Sequence, residues 1–379
     1  MALLSREFQV FVKPVGAECN LGCLYCYYLE KAELYDASGL TMMQDETLEK
    51  YIIRHIEAST EPDISFSWHG GEPSLAGLDF FRKVVKLQQN HLPPDRNIIN
   101  GIQTNATLLD EEWCKFLADQ SFFAGVSIDG PQELHNKYRI SKDKRGSFRK
   151  TLNGYELLRK HNVQTELLTV VNAENVNFPL EVYGFLKQLG SNYITFLPLV
   201  EKKSESDSGD SNISVPAEAF GAFLCKIFDD WVAEDIGMIK IQIIEEAART
   251  AFNQDHTLCI FKKTCGGVPV VEHNGDFYSC DHYVDKEHLI GNINELSLAE
   301  MLDSERQKAF GEAKRAGLPR YCLDCEVLDM CNGECPKNRF IRTPSGEPGL
   351  NYLCSGYKRL FNHIRPFVDA ISEEWGEKN

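Results

Sequence analysis

The 379-residue sequence has no long apolar run and no excess of positive charge. The lack of any run of about eighteen apolar residues argues against a membrane-spanning helix. Lysine and arginine together number 40 against 56 aspartates and glutamates, a net charge of −16, which disfavours binding to a nucleic-acid backbone. Arg6 and Glu7 interrupt the apolar N-terminal stretch, so it lacks the pattern of a secretory signal. We therefore expect a cytoplasmic protein with no membrane or nucleic-acid partner.

Cysteine, by contrast, is abundant: thirteen residues in a chain that is 43% hydrophobic and 25% charged. That composition is typical of a globular protein, and a chain of this length buries enough surface to fold without cross-links. In a reducing compartment, clustered cysteines indicate metal ligands or catalytic groups rather than disulfides.

Strand-like and helix-like segments alternate from residue 9 to about residue 200. This alternation predicts βαβ units and a parallel sheet. Six such strands favour an α/β fold, a partial (β/α)6 barrel with its chemistry at the C-terminal ends of the strands. The predicted strands are 9–15, 63–71, 97–106, 122–130, 164–172 and 192–201. The predicted helices include 46–59, 78–91, 110–120, 147–162, which Ser147 is expected to cap, and 178–190.

Polar and glycine-containing motifs occur where these strands end, as the barrel prediction requires. They are CNLGCLYC (19–26), GGEP (70–73), QTN (103–105), SIDG (127–130), VVN (170–172) and PLVE (198–201). Because the C-terminal ends of parallel strands meet at one rim, these motifs are expected to form one site.

The composition changes after residue 200. Segment 201–214 is rich in Ser, Asp and Gly and predicts a solvated loop, and a long helix is predicted from Pro216 to Asp235. Eight of the thirteen cysteines lie at or beyond Cys259. We predict a barrel domain over 1–235, a linker region over 236–254 and a cysteine-rich domain with a C-terminal helix over 255–379.

The first cysteine group, Cys19, Cys23 and Cys26, has the spacing C-x3-C-x2-C. Three thiolates in one loop can hold three irons of a 4Fe–4S cluster and leave the fourth iron open to a ligand. A structural zinc site uses four protein ligands, and this loop offers three.

The second group contains Cys259, Cys265, Cys280, Cys322, Cys325, Cys331, Cys335 and Cys354. Two fully ligated 4Fe–4S clusters use all eight of these cysteines. A zinc ribbon with C-x2-C at 322–325 as one knuckle is the alternative, but it leaves four cysteines without a role. The remaining two, Cys114 and Cys225, fall in helical segments and are predicted to be buried as small apolar side chains.

Asn274–Gly275, flanked by alternating apolar residues, predicts a two-residue hairpin. That hairpin is expected to carry Cys280 back to its cluster and to leave Asp281 beside it.

These motifs resemble known families. The CNLGCLYC loop resembles the signature of the radical S-adenosylmethionine (SAM) superfamily, and the cysteine run 322–335 with Cys354 resembles the SPASM domain of peptide-modifying radical enzymes. The whole chain resembles the anaerobic sulfatase-maturating enzymes, which oxidise a Cys or Ser of a sulfatase to Cα-formylglycine. The stretches that carry this resemblance are VKPVGAECNLGCLYCYY, SWHGGEPSLAG, IQTNATLLDEEWCKFL, VSIDGPQELHNKYR, VVNAENV and ITFLPLVE.

The resemblance implies a radical SAM partial barrel with a C-terminal SPASM domain, three 4Fe–4S clusters and SAM. Cys19, Cys23 and Cys26 are implied to bind the cluster that holds SAM. The first auxiliary cluster is implied to use Cys259, Cys265, Cys280 and Cys335, and the second to use Cys322, Cys325, Cys331 and Cys354. The implied SAM contacts are Tyr25, Gly70, Gly71, Glu72, Ser127, Arg139 and Val200.

Three of these contacts, Gly70, Gly71 and Arg139, have a chemical rationale beyond the resemblance. The glycines allow the backbone to approach a ligand closely. Arg139 can hold the methionine carboxylate in a bidentate manner, although a solvated surface charge explains it equally well.

The implied reaction begins with reductive cleavage of SAM to a 5′-deoxyadenosyl radical, which removes a Cβ hydrogen of the target. The auxiliary clusters accept the electron that is then lost, and Asp281 is the implied base. A raised pKa of a carboxylate screened from water suits it to proton transfer, while a hairpin-end residue bonded to backbone amides is the structural alternative. Tyr28 and His69 are implied to contact the peptide, with His69 at a position that is often glutamine in relatives.

The implied partners are an unfolded or nascent sulfatase polypeptide and a low-potential electron donor such as flavodoxin or ferredoxin. A SPASM enzyme that forms thioether or carbon–carbon crosslinks is one alternative, but the first strand begins by about residue 8 and leaves no room for the N-terminal peptide-binding domain such enzymes often carry. A non-enzymatic iron–sulfur or zinc protein is another alternative, and the open three-cysteine loop argues against it.

Overall fold

The computed structural model describes residues 8–35, 42–202 and 213–378. Its strands are β1 Phe11–Val12, β2 Asp63–Trp68, β3 Asn97–Thr104, β4 Phe123–Ser127, β5 Gln164–Val171, β6 Tyr193–Pro198, β7 Lys240–Ile241, β8 Val270–Val271, β9 Asp276–Tyr278, β10 Leu289–Asn292, β11 Ile341–Arg342 and β12 Pro348–Leu350. Its helices are α1 Asp45–Ala58, α2 Leu78–His91, α3 Glu111–Asp119, α4 Gln132–Tyr138, α5 Phe148–Lys160, α6 Pro179–Gln188, α7 Ala217–Glu234, α8 Gln242–Arg249, α9 Leu298–Leu302, α10 Glu305–Ala316, α11 Arg320–Leu323, α12 Leu328–Cys331 and α13 Cys354–Lys378.

The described residues form two compact units that are discontinuous in sequence. The first unit takes residues from 1–127, 136–165 and 266–311, and the second from 128–135, 166–265 and 312–379. All six predicted strands and the predicted helices between them are present, so the α/β prediction is confirmed. The predicted domain ranges 1–235, 236–254 and 255–379 stay a prediction.

The first unit is built on parallel strands in the order β1-β2-β3-β4. The register pairs Phe11 with Ser67 and Gly101 with Phe123. On its other side β1 pairs in parallel with β8, and β9 and β10 continue in antiparallel fashion. The apolar side chains of β2, Ile64, Phe66 and Trp68, are almost completely buried.

The second unit contains the parallel strands β5-β6-β7 and a tightly packed pair of long helices, α7 and α13. A Cβ on Gly221 of α7 would lie 2.7 Å from the Cα of Gly356 in α13, so the two backbones touch where both residues are glycine. The rings of Phe220 and Tyr357 pack edge to face beside this crossing. The predicted helix from Pro216 is confirmed, with Pro216 in the N-cap position, whereas most of the predicted 201–214 loop lies outside the described residues.

Two local predictions need correction. Ser147 precedes α5 but does not cap it, because its hydroxyl donates to the carbonyl of Arg139 instead (2.8 Å). The β8–β9 hairpin is present, but its loop has three residues rather than two, since Glu272 N bonds to Asp276 O (2.9 Å). Gly275 has a φ of +90°, as expected of glycine in three-residue hairpin loops.

Among the described residues, no helix combines the length and apolarity needed to cross a membrane.

Candidate functional site

The first cysteine loop leaves β1 and is held by backbone pairing within the first unit. Gly22 N donates to Ile140 O (2.8 Å) and Leu24 N donates to Tyr138 O (2.9 Å). This pairing fixes the segment that carries Cys19, Cys23 and Cys26. The loop therefore has a defined backbone position rather than depending on a bound group alone.

The glycines of GGEP bring the end of β2 against this cysteine loop. Gly71 N donates to Gly16 O (2.9 Å) and Glu72 N donates to Glu18 O (2.8 Å). A Cβ on Gly71 would lie 2.0 Å from Glu18 O, and Gly70 has a φ of +125°. Both positions therefore require glycine because they contact the cysteine loop itself, which the sequence did not predict.

Glu72 forms hydrogen bonds with the loops that follow the first three strands. Its buried carboxylate accepts hydrogen bonds from Ser74 Oγ, Thr104 Oγ1 and Asn105 N, each at 2.7 Å. Asn105 in turn donates to Asn20 Oδ1 in the cysteine loop (2.9 Å). Burial raises the pKa of Glu72 despite these bonds. The side chain therefore positions the loops, and its contact with SAM stays a prediction.

The other predicted SAM contacts are placed as follows. The Arg139 guanidinium lies 5.4 Å from the ring centre of Tyr25. Only 7% of Arg139 is exposed, so the alternative interpretation of this residue as a solvated surface charge is wrong. Ser127 Oγ accepts from Gln103 Nε2 (3.1 Å). Val200 belongs to the second unit and is buried. Their contacts with SAM stay predictions.

The thiols of the first cysteine loop are chemically suited to binding an iron–sulfur cluster. Burial above all raises the pKa of Cys19 to about 12, and the nearby Glu72, Cys23 and Cys26 act in the same direction. Thiols grouped in this way resist deprotonation unless a cation compensates their charge. Metal ligation supplies that compensation, because cysteine binds metal as the thiolate.

Four cysteines of the second unit line one small cavity. Burial above all raises the pKa of Cys331 to about 12 and that of Cys354 to about 11. No three Cys, His, Asp or Glu side chains of the described segments are arranged to hold a single metal ion. The four cysteines around the cavity are Cys322, Cys325, Cys331 and Cys354, the set implied for the second auxiliary cluster.

The implied ligands of the first auxiliary cluster divide between the two units. The thiols of Cys259, Cys265 and Cys335 act electrostatically on the Lys314 ammonium in the second unit. Cys280 belongs to the first unit, directly before Asp281. Cys114 and Cys225 are buried in α3 and α7, as predicted.

Asp281 is buried against a lysine. Lys13 Nζ lies 2.5 Å from Asp281 Oδ1, and the Tyr27 hydroxyl donates to the other carboxylate oxygen. Burial raises the pKa of Asp281, but Lys13, His282 and the Tyr27 hydrogen bond outweigh it and hold that pKa well below its usual range. The prediction of a raised pKa for Asp281 is therefore wrong, chiefly because the Lys13 ammonium lies beside its carboxylate.

The two predicted peptide contacts also adjoin Lys13. The Tyr28 hydroxyl donates to Glu272, and its ring centre lies 4.2 Å from Lys13 Nζ. The His69 ring stacks on Phe11 with centroids 3.9 Å apart. Burial and the Lys13 charge lower the pKa of His69 to about 3, so its imidazole is neutral near pH 7. Contact of either residue with a peptide stays a prediction.

Sequence reasoning missed Lys13, Tyr27 and Glu272 as members of this site. A signal was available for Lys13, because a lysine inside the apolar segment QVFVKPV is expected to have a buried partner. Tyr27 and Glu272 gave no comparable signal, since tyrosine next to a cysteine loop and glutamate in a hairpin are both common.

Comparison with known proteins identifies first a class and then a family. The Radical SAM superfamily matches residues 14–185, and the SPASM iron–sulfur cluster-binding domain matches residues 265–326. The fold and the cysteine loops therefore define a radical SAM enzyme with a C-terminal SPASM domain.

Comparison with individual relatives identifies the family within this class. The chain is 45% identical over 386 residues to the serine-type anaerobic sulfatase-maturating enzyme of Bacteroides thetaiotaomicron, covering 98% of this chain and 93% of that protein. It is 31% identical to the cysteine-type enzyme of Clostridium perfringens, covering 94% and 96%. The solved structure of native anSMEcpe with bound AdoMet and Cp18Cys peptide matches with a TM-score of 0.87 and 30% identity, covering 97% of this chain and 100% of that one. The chain belongs to the anaerobic sulfatase-maturating enzymes.

Proposed function

We propose that this enzyme oxidises a Cys or Ser side chain of a sulfatase polypeptide, within a Cys/Ser-x-Pro-x-Arg motif, to Cα-formylglycine. The observation that carries the proposal is an ionised carboxylate, Asp281, held by Lys13 and Tyr27 directly after the cluster ligand candidate Cys280. Support comes from relatives named as serine-type and cysteine-type maturating enzymes. The proposed substrate is an unfolded or nascent sulfatase polypeptide.

We assign three 4Fe–4S clusters to the cysteine groups described above. When bound, the first cluster and SAM supply the 5′-deoxyadenosyl radical that removes a Cβ hydrogen of the target. The open corner left by Cys19, Cys23 and Cys26 suits SAM, and the cavity formed by Cys322, Cys325, Cys331 and Cys354 suits a fully ligated cluster. Cys259, Cys265, Cys280 and Cys335 are assigned to the remaining cluster by the family's pattern.

Asp281 accepts the proton of the target thiol or hydroxyl. The lowered pKa of Asp281 keeps the carboxylate ionised near pH 7, so the base is ready when the substrate arrives. Its basicity is low, but a thiol or hydroxyl next to a carbon radical is far more acidic than in the intact side chain. Loss of this proton and one electron gives the aldehyde directly from Ser, and from Cys a thioaldehyde that water converts to the aldehyde with release of sulfide.

The remaining site residues are assigned to binding and orienting SAM and the peptide. Arg139 is assigned to the methionine carboxylate of SAM, with Tyr25, Ser127 and Val200 around the same ligand. Tyr28 and His69 are assigned to the peptide; the Tyr28 ring lies 4.2 Å from Lys13 Nζ and His69 interacts electrostatically with Lys13, which supports this assignment. A low-potential donor such as flavodoxin or ferredoxin is the proposed source of the starting electron, and the cytoplasm the proposed location.

Anaerobic incubation with SAM, a reductant and peptides carrying the motif tests the proposal. We expect an aldehyde in the peptide, detected by mass spectrometry and by reaction with a hydrazide. A peptide with Ala at the target position is the control and should stay unmodified. Release of 5′-deoxyadenosine with a crosslinked peptide and no aldehyde would contradict formylglycine formation and favour a crosslinking enzyme.

A further inference from the structure

Lys314 is a buried cation among the cysteines of the second unit. It lies on α10 with 1% of its surface exposed. Its Nζ donates to the carbonyls of Cys259 (3.0 Å) and Ile260 (2.7 Å). A buried ammonium is costly unless an opposite charge or several acceptors compensate it, so its position at a cysteine carbonyl calls for an explanation.

Arg339 is a second cation in the same region, and it binds the loop between Cys331 and Cys335. Its guanidinium donates to the carbonyls of Gly333 (2.9 Å), Asn332 (3.1 Å) and Glu334 (3.2 Å). These three residues have φ angles of +70°, +47° and +49°, a left-handed run that costs energy for the two non-glycine residues. The guanidinium stabilises this turn by satisfying its carbonyls.

Arg339 also donates to Lys314 O (2.5 Å), which links the two cations. In the described part of the chain, neither one forms an ion pair with a carboxylate. The Glu334 carboxylate is close to both, and it accepts hydrogen bonds from the side-chain amides of Asn338 and Asn351.

Cysteine sulfurs also interact electrostatically with the two cations. Lys314 interacts with Cys265, Cys259 and Cys335, and Arg339 interacts with Cys322, Cys265 and Cys331. Arg339 thus interacts with members of both auxiliary ligand sets. A cluster held by four thiolates has a negative overall charge that grows when the cluster is reduced, so nearby fixed cations favour the reduced state.

We propose that Lys314 and Arg339 are positioning residues that raise the reduction potentials of the two auxiliary clusters, which lets these clusters accept the electron lost by the substrate. The inference rests on the proposed function, because it requires both auxiliary clusters. Each cation acts through the cluster beside it and has no contact with the substrate in this role.

The test measures cluster potentials directly. Replacing Cys19, Cys23 and Cys26 by Ala removes the first cluster, so that the auxiliary clusters alone respond in an anaerobic redox titration followed by electron paramagnetic resonance. In this background, Lys314→Gln is expected to lower a midpoint potential, with about a tenfold change in the reduced-to-oxidised ratio at fixed ambient potential, which is about 59 mV for one electron. Arg339→Gln is expected to act in the same direction.

Lys263→Gln is the matched control, because Lys263 is exposed and lies two residues before Cys265. It removes the same charge from a solvated position and should leave the potentials nearly unchanged. Lys314→Gln protein with full iron and unshifted potentials would overturn the inference.

Iron content separates the remaining outcomes. A parent protein with fewer than two auxiliary clusters contradicts the proposed cluster assignment, whereas an intact parent with an unshifted variant contradicts this inference alone. If the Lys314→Gln variant loses iron, the Lys314→Arg variant tests whether the positive charge has a role. Retention of iron and potential by the arginine variant supports a role for the charge, and loss of iron in both variants overturns it.

Discussion

Lys13 Nζ lies 2.5 Å from Asp281 Oδ1, and both side chains are almost fully buried. This ion pair joins the end of the first strand to the residue after Cys280. It explains why the proposed base is ionised, and it places a positive charge beside Tyr28 and His69.

Replacing Asp281 by Asn is expected to separate SAM cleavage from product formation. The variant keeps the shape of the side chain but cannot accept a proton, and loss of a general base typically costs about 10²–10⁴-fold in rate. With peptide present, 5′-deoxyadenosine should still form while formylglycine falls by that factor. Asp303→Asn, at an exposed position in the same unit, should retain activity. Near wild-type formylglycine from Asp281→Asn would remove Asp281 from the mechanism.

Lys13→Met is expected to destabilise the protein strongly. It leaves the Asp281 carboxylate buried without its partner, and breaking a buried pair in this way costs about 3–5 kcal/mol. Lys50→Met is the matched control, since the Lys50–Glu46 pair lies on the solvated surface of one helix, where an ion pair contributes little to stability. Urea denaturation under anaerobic conditions measures the free energy of unfolding of both lysine variants. Adding Asp281→Asn to Lys13→Met should restore part of the loss, and equal effects of the two lysine variants would refute the assignment.

The buried Glu246–His256 pair (2.9 Å) predicts a pH-dependent contribution to stability. Burial opposes ionisation of both groups, but their mutual hydrogen bond and others outweigh it, so the pKa of His256 is raised and that of Glu246 is lowered. The His256 contribution is full below its unfolded pKa of about 6.5 and disappears as pH rises through its higher folded pKa. The Glu246 contribution is full above about 4.3 and disappears as pH falls through its lower folded pKa.

The stability difference between wild type and Glu246→Gln should therefore be largest between about pH 4.5 and 6.5 and should shrink in alkaline solution. Urea denaturation at several pH values measures it, with Glu245→Gln, on the exposed face of the same helix, as the control. A difference that does not vary with pH would contradict the assigned charges.

Gly71→Ala is expected to disrupt the first cysteine loop. The new Cβ would lie 2.0 Å from Glu18 O, and backbone on both sides leaves no simple way to relieve the clash. We expect loss of the iron that the first loop binds and loss of 5′-deoxyadenosine formation. Gly184→Ala is the control, because nothing lies within 4 Å of its Cβ position in α6. That variant should keep its iron and gain about 0.5–1 kcal/mol of stability.

Much of this fold could be predicted from sequence because its signals are local. The spacing of the apolar residues in segment 78–91 predicts a helix, and α2 spans Leu78–His91. Strand order alone predicts that the polar motifs lie at strand ends, and Glu72, Thr104 and Asn105 do meet there. The burial of Cys114 and Cys225 followed from their helical context.

The chemistry of the site depended on contacts between residues far apart in the chain. Tyr28 and Glu272 are separated by 244 positions, and no local pattern relates them. A raised pKa is the expectation for Asp281 as a carboxylate screened from water, since burial alone raises the pKa of a carboxyl group. Only the tertiary structure placed the Lys13 ammonium against it, and at that distance in a poorly solvated site the attraction between opposite charges exceeds the cost of burial.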